Sequence, residues 1–233
     1  MNNKIIVALD SSNMIKTIKL VKLLKKEVFA FKIGYEFFFN FGLEGYKKIY
    51  KICPKIFLDL KLHDIPNTVN KGLKALSKLK PLFTTIHISG GDEMLTVSSL
   101  FDSNKTKILG VTVLTSLDNK QTLKYYNEKN VKNIVKKFAI NAKQKKLNGL
   151  VCSPLEIKTL RKELGDEIIL VVPGIRFQKN ISKTKDDQRR TLTPKQAILD
   201  GADYLVIGRP ITESKDPLKT IQDINRSIKN YII

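Results

Sequence analysis

The chain has 233 residues, 42 Lys+Arg against 22 Asp+Glu, two His, two Cys and no Trp, for a formal charge of +20. Its 42% hydrophobic content is enough for a buried core and excludes disorder throughout, and no apolar run approaches the roughly 18 residues of a membrane span. Only six of the basic residues are Arg (161, 176, 189, 190, 209 and 226), and the lysines are spread along the chain instead of gathered in one tail. That pattern reads as compositional drift toward Lys and not as a nucleic-acid-binding surface.

Met1 to Lys4 lead directly into an apolar strand pattern at 4–9, with no signal-peptide core, so a cytoplasmic chain is expected. Further short, β-branched runs follow at 28–33, 55–62, 84–89, 107–114, 149–152, 168–173 and 204–207. Lys-rich segments of helical spacing separate them. In 13–26, Met14, Ile18, Val21 and Leu24 fall near one face with lysines on the other. Strands alternating with helices require parallel pairing through right-handed crossovers. Eight such units in this length predict an α/β chain folded as one (β/α)₈ barrel over residues 1–233. An open doubly wound sheet is the alternative, but no Gly-x-Gly-x-x-Gly follows the first strand to support dinucleotide binding. Cys53 and Cys152 lie far apart in apolar surroundings and read as reduced, buried thiols.

Polar residues gather at the C-terminal ends of the predicted strands: Asp10 at the first, Lys32 at the second, Asp59, Lys61 and Asp64 at the third. Thr115 and Ser116 follow the fifth, Arg176 the seventh and Arg209 the eighth. A barrel brings these ends to one rim, where such folds place their sites. In Asp59-Leu60-Lys61-Leu62-His63-Asp64-Ile65-Pro66-Asn67-Thr68-Val69, strand alternation turns Asp59 and Lys61 to the barrel mouth and Leu58, Leu60 and Leu62 away. Pro66 suits the first position of a helix, which leaves Asn67 and Thr68 near its N-terminus. Charges this close are costly unless paired, and Lys32 on the neighbouring strand completes an alternating Lys–Asp–Lys set. Val172-Pro173-Gly174-Ile175-Arg176 and Ile207-Gly208-Arg209-Pro210 follow the last two strands, where barrels frequently bind phosphate.

With these motifs, and with Ala8-Leu9-Asp10, Lys32-Ile33-Gly34, Leu114-Thr115-Ser116 and Asp187-Gln188-Arg189-Arg190, the whole chain resembles the orotidine 5′-phosphate decarboxylases of the shorter bacterial type. The resemblance implies decarboxylation of orotidine 5′-monophosphate to UMP, without metal or organic cofactor, by a homodimer. It implies a charged catalytic network of Lys32, Asp59, Lys61 and Asp64, with Lys61 protonating C6 and Asp64 reaching the partner's site. It places Asp10, Asn67 and Thr68 at the ribose, Thr115 at the pyrimidine, and Arg176, Gln188, Gly208 and Arg209 at the phosphate, Gln188 in a closing loop. Phe177–Asp187 is Lys-rich and a few residues longer than the family's usual form, and Asp92 is an added acid after Ser89-Gly90-Gly91. His63 and His87 are expected to pack and hydrogen-bond. Phe37, Phe38, Phe39 and Phe41 are expected to serve core and dimer packing. Two His and two Cys without ligand spacing argue against zinc. The rivals are a Mg²⁺-dependent sister enzyme acting on a sugar phosphate, which would need an oxygen ligand where Lys32 stands, and a basic nucleic-acid-binding protein without catalysis.

Overall fold

The computed structural model describes residues 3–99, 106–177 and 191–231. Eight strands form a closed parallel barrel in sequence order: β1 (Ile5–Ala8), β2 (Ala30–Ile33), β3 (Ile56–Leu62), β4 (Phe83–His87), β5 (Lys107–Val111), β6 (Gly149–Val151), β7 (Ile169–Val172) and β8 (Tyr204–Ile207). All eight predicted strands are present. The ring closes where Ile5, Ile6 and Val7 pair with Leu205, Val206 and Ile207. Two strands stop two or more residues short of the predicted ends. The chain after His87 enters a 3₁₀ turn at Ile88–Gly90, and β5 ends at Val111, before Thr112–Leu114.

The outer layer consists of α1 (Met14–Leu24), α2 (Tyr35–Ile52), α3 (Pro66–Ser77), α4 (Asp92–Ser99), α5 (Asn119–Tyr126), α6 (Val131–Gln144), α7 (Ile157–Leu164), α8 (Pro194–Leu199), α9 (Arg209–Thr212) and α10 (Pro217–Ile228). Local chemistry sets several starts. Asn13, Asn130 and Asp216 each accept a backbone N–H of the first turn of α1, α6 and α10, while Asp118 and Gln121 form a capping box on α5. Pro66 opens α3 as expected. α2 is kinked at Gly42, whose φ of +54° lies in the left-handed region that other residues enter only at a cost.

Strand alternation divides the core in two. Ile5, Val7, Phe31, Ile33, Ile56 and Leu58 face the helices, while Ile6, Ala8, Ala30, Phe57, Phe83, Leu109, Val171 and Val206 fill the barrel. The bottom is closed by rings. Phe29 stacks on Tyr204 at 4.0 Å, Phe83 lies 5.7 Å from Tyr204, and the Lys4 and Lys55 ammonium groups cover Tyr204 and Phe29 from outside. Higher up, the inward side chain of β1 is Ala8, which leaves open volume at the mouth.

Arg161 of α7 ties the bases of β7 and β8. Its guanidinium donates to the carbonyls of Gly165 (2.9 Å), Ile168 (3.0 Å) and Gly201 (2.6 Å) and to the Asp203 carboxylate (2.8 Å), which also accepts the Leu170 N–H. Arg161→Met keeps the stem but strands these acceptors. It should destabilise the fold by about 3 kcal/mol, and so lower the melting temperature by about 6–12 °C. Calorimetry of the two proteins checks this, and an unchanged melting temperature would remove Arg161 from the structural framework.

Candidate active site

β2 and β3 carry the charged centre. The β3–β4 ladder runs in register at Phe57↔Phe83 and Leu58↔Thr84, then resumes only at Leu62↔Ile86. Four steps along β3 therefore match two along β4, which is a bulge. Within it Lys61 has φ +42°, a left-handed conformation rare for a side-chain-bearing residue. The bulge leaves Asp59 and Lys61 side by side: Lys61 Nζ donates to Asp59 Oδ2 at 2.8 Å. Lys32 Nζ approaches the same oxygen at 3.7 Å and Asp10 Oδ1 at 3.2 Å. A Cβ at Gly34 would lie 2.9 Å from Lys32 Nζ and 3.1 Å from Asp10 Oδ1, so a larger residue there would shift the Lys32–Asp10 pair.

Asp59 is only 7% exposed. Burial pushes its carboxyl up, but the charges of Lys32 and Lys61 and hydrogen bonds from Lys61 and Thr85 outweigh that and hold it below the usual carboxylate range. The site thus presents an ionised carboxylate with an ammonium on either side. At the C-terminal end of β4 the His87 ring lies 5.1 Å from that of His63. Burial, reinforced by His63 and Lys61, pushes His87 down to about 4, so it is neutral near pH 7. His63 is on the exposed rim, packed against His87, and not in the core.

These groups line one cavity of about 660 Å³ at the C-terminal mouth of the barrel. Asp10, Lys32, Asp59, Lys61, Thr115, Arg176, Gly208 and Arg209 all reach it, over an apolar floor that includes Ala8, Phe57, Val111 and Val206. Arg176 follows a bridge between Ile175 and Leu192, its N–H bonded to the Leu192 carbonyl. Gly208 precedes α9, whose first residue is Arg209. The wall holds, among the described residues, four acids (Asp10, Glu36, Asp59, Glu213) and four bases (Lys32, Lys61, Arg176, Arg209). Among the described residues no three His, Cys, Asp or Glu side chains gather as a metal-binding group.

Asp64, Asn67 and Thr68 do not line this cavity. β3 ends at Leu62, the chain turns outward over the rim, and all three side chains are exposed; Asp64 Oδ1 accepts the Ile65 N–H at 2.7 Å. Gln188 lies outside the described residues, as does most of Phe177–Asp187. Asp92 sits in the first turn of α4, held by Asn141 at 2.8 Å, away from the cavity. Sequence reasoning missed Tyr35, Glu36, Thr85, Cys152 and Glu213. Tyr35 donates to the Leu60 carbonyl at 3.2 Å, and its ring lies 5.9 Å from Lys61 Nζ. Cys152 lines the cavity as a buried thiol whose pKa burial pushes up. Strand alternation puts Thr85 in the inward row with Phe83 and His87 but does not say what it meets there.

Residues 3–224 match the family described as orotidine 5′-phosphate decarboxylase / HUMPS. A curated relative from Ehrlichia canis, named orotidine 5′-phosphate decarboxylase, is 43% identical over 228 residues, covering 97% of this chain and 98% of its own. One of the same name from Dictyoglomus turgidum is 42% identical over 238 residues, covering 98% and 96%. The crystal structure of orotidine 5′-phosphate decarboxylase from Lactobacillus acidophilus superposes with a TM-score of 0.81 at 36% identity, over 97% of this chain and 98% of that one. On the strength of a match that runs from the first strand into the last helix, the chain belongs to the orotidine 5′-phosphate decarboxylase / HUMPS family.

Proposed function

We propose that the chain decarboxylates orotidine 5′-monophosphate to UMP in pyrimidine biosynthesis, as a cytoplasmic homodimer. The observation that carries this reading is the buried Asp59 carboxylate, flanked by the Lys32 and Lys61 ammonium groups at the mouth of the barrel. Across the ring of strands from β3 stand the Gly174–Arg176 and Gly208–Arg209 segments. They offer a guanidinium grip for a phosphate, which would hold the ring of the substrate over Lys61.

Breaking the bond between C6 and the carboxylate releases CO₂ and leaves the electron pair in an in-plane orbital at C6. The pyrimidine ring delocalises that pair poorly. A cation fixed before the reaction begins stabilises it without reorganisation, the term that usually dominates catalysis. Lys61 supplies the cation and then a proton, forming the C6–H bond of UMP; solvent reprotonates the amine. Asp59 keeps the ammonium aimed, and Lys32 keeps Asp59 ionised. Asp10 orients Lys32 and meets the ribose, and Thr115 meets the pyrimidine. A Mg²⁺-dependent sugar-phosphate reaction suits the site less well, because the Lys32 ammonium stands where an oxygen ligand would be needed and repels a divalent cation.

Asn67, Thr68 and Asp64 are proposed to act across a dimer interface, Asp64 in the partner's site. Exposed Phe39 (76%), Ile65 (66%) and Leu43 (51%) on α2 and the β3–α3 connection support such an interface. Gln188 is proposed for the phosphate grip from the family resemblance alone.

Purified protein treated with EDTA should convert orotidine 5′-monophosphate to UMP, followed by loss of the orotate absorbance and by chromatography. Lys61→Ala should lower kcat by about 10³-fold or more with the melting curve intact; near-normal turnover would refute the assignment. Arg209→Ala should weaken binding of the phosphorylated substrate by about 2–3 kcal/mol, roughly 30- to 150-fold, and leave the bare nucleoside unaffected. Equal losses on both would remove Arg209 from the phosphate grip. Mixing inactive Lys61→Ala and Asp64→Asn proteins under subunit exchange should restore about a quarter of wild-type activity, because mixed dimers with shared sites regain one intact site. No recovery despite exchange would mean that each site is built from one chain.

A further inference from the structure

We infer that Thr85 is the positioning residue that sets the geometry of the Asp59–Lys61 pair. The role in turnover rests on the reaction proposed above; the geometry does not. Thr85 is fully buried on β4, opposite the bulge. Its Oγ1 accepts the Lys61 backbone N–H at 2.9 Å, and its hydroxyl donates to Asp59 Oδ1 at 2.9 Å.

The direction of both bonds is forced. A backbone N–H can only donate, so the hydroxyl must accept from Lys61. Its one proton is then left for Asp59. A single oxygen therefore does two things. It replaces the β4 partner that the bulge takes away from Lys61, which holds this residue in its left-handed conformation. It also occupies Oδ1 of Asp59 with a neutral donor, leaving Oδ2 to the ammonium groups of Lys61 at 2.8 Å and Lys32 at 3.7 Å. Tilting the carboxylate out of this plane would weaken both bonds at once. Thr85 does not line the cavity, so it acts through Asp59 and Lys61 and not on a substrate.

The groups facing Asp59 are Lys32 from β2, Lys61 from its own strand, His87 from β4 and Tyr35 from α2. His87 is neutral near pH 7, so losing the hydroxyl changes the donors to Asp59 without altering the surrounding charge.

Thr85→Val keeps the shape and removes both bonds; Thr85→Ser restores them. Thr85→Val should lower kcat by about 100-fold, the size of loss that a misplacement near 1 Å produces, with KM little changed. Thr85→Ser should stay close to wild type. The acid limb of the kcat–pH profile, and the midpoint of the Asp59 carboxyl followed by ¹³C NMR, should both rise in Thr85→Val and return in Thr85→Ser. A purely structural role would lower stability without moving that midpoint. If Thr85→Val gives no folded protein, Thr85→Cys, of similar volume but a far weaker donor, takes its place. Wild-type kcat and an unmoved Asp59 midpoint in Thr85→Val would overturn the inference, as would a Thr85→Ser protein as impaired as Thr85→Val. Should the wild-type protein itself fail to decarboxylate, the reaction falls, while the Asp59 midpoint still decides whether Thr85 holds the pair.

Discussion

The mouth of the barrel depends on keeping one buried carboxylate ionised. Asp59 could not carry charge in an apolar interior unaided, because desolvation would drive it to take up a proton. Two ammonium groups and two hydrogen-bond donors reverse that outcome. The dependence is mutual: Lys61 and Lys32 need the carboxylate to remain largely buried cations near an apolar floor, and Lys32 is shared with Asp10. Removing Asp59 would leave Lys61 without a carboxylate and Lys32 with Asp10 alone, and a buried charge stripped of its partner costs more than the pair itself contributes.

The fold supplies this cluster through two departures from a regular strand. Perfect alternation along β3 would put Asp59 and Lys61 on one side at ordinary strand spacing. The bulge compresses that segment, and the left-handed Lys61 turns its side chain back toward Asp59. Gly34, one strand over, removes the atom that would collide with Lys32 and Asp10. The cost of a strained backbone is met by bonds from an adjacent, regular strand, β4. The guanidinium groups of Arg176 and Arg209, on the short connections after β7 and β8, reach the same cavity without a bulge in either strand.

Much of this was legible in the sequence. Alternating apolar runs and Lys-rich helical segments specify the barrel because their periods, two and 3.6, cannot be confused over eight repeats. Asp59, Lys61 and Lys32 are legible because charges in otherwise apolar strands need partners. The bulge was not legible. It contains no glycine to mark it, and Lys61 enters the left-handed region without the residue type that normally announces it. Thr85 escaped for a related reason: threonine is common in strands for its shape alone, so a threonine in β4 carries no signal until the residue opposite is known. Asp64, Asn67 and Thr68 were read as site residues through the family resemblance, Asp64 in the partner's site; the chain leaves the barrel at Leu62 and carries all three outside the cavity of their own subunit.

The aromatic closure at the base of the barrel has a consequence for traffic. Phe29, Phe83 and Tyr204, with Lys4 and Lys55 over two of the rings, fill the base of the barrel on the side away from the cavity mouth. A gas released at the mouth of such a barrel has no way out through the packed base. It leaves on the side that also admits the nucleotide, so both products share a direction of exit set by architecture before any affinity is considered.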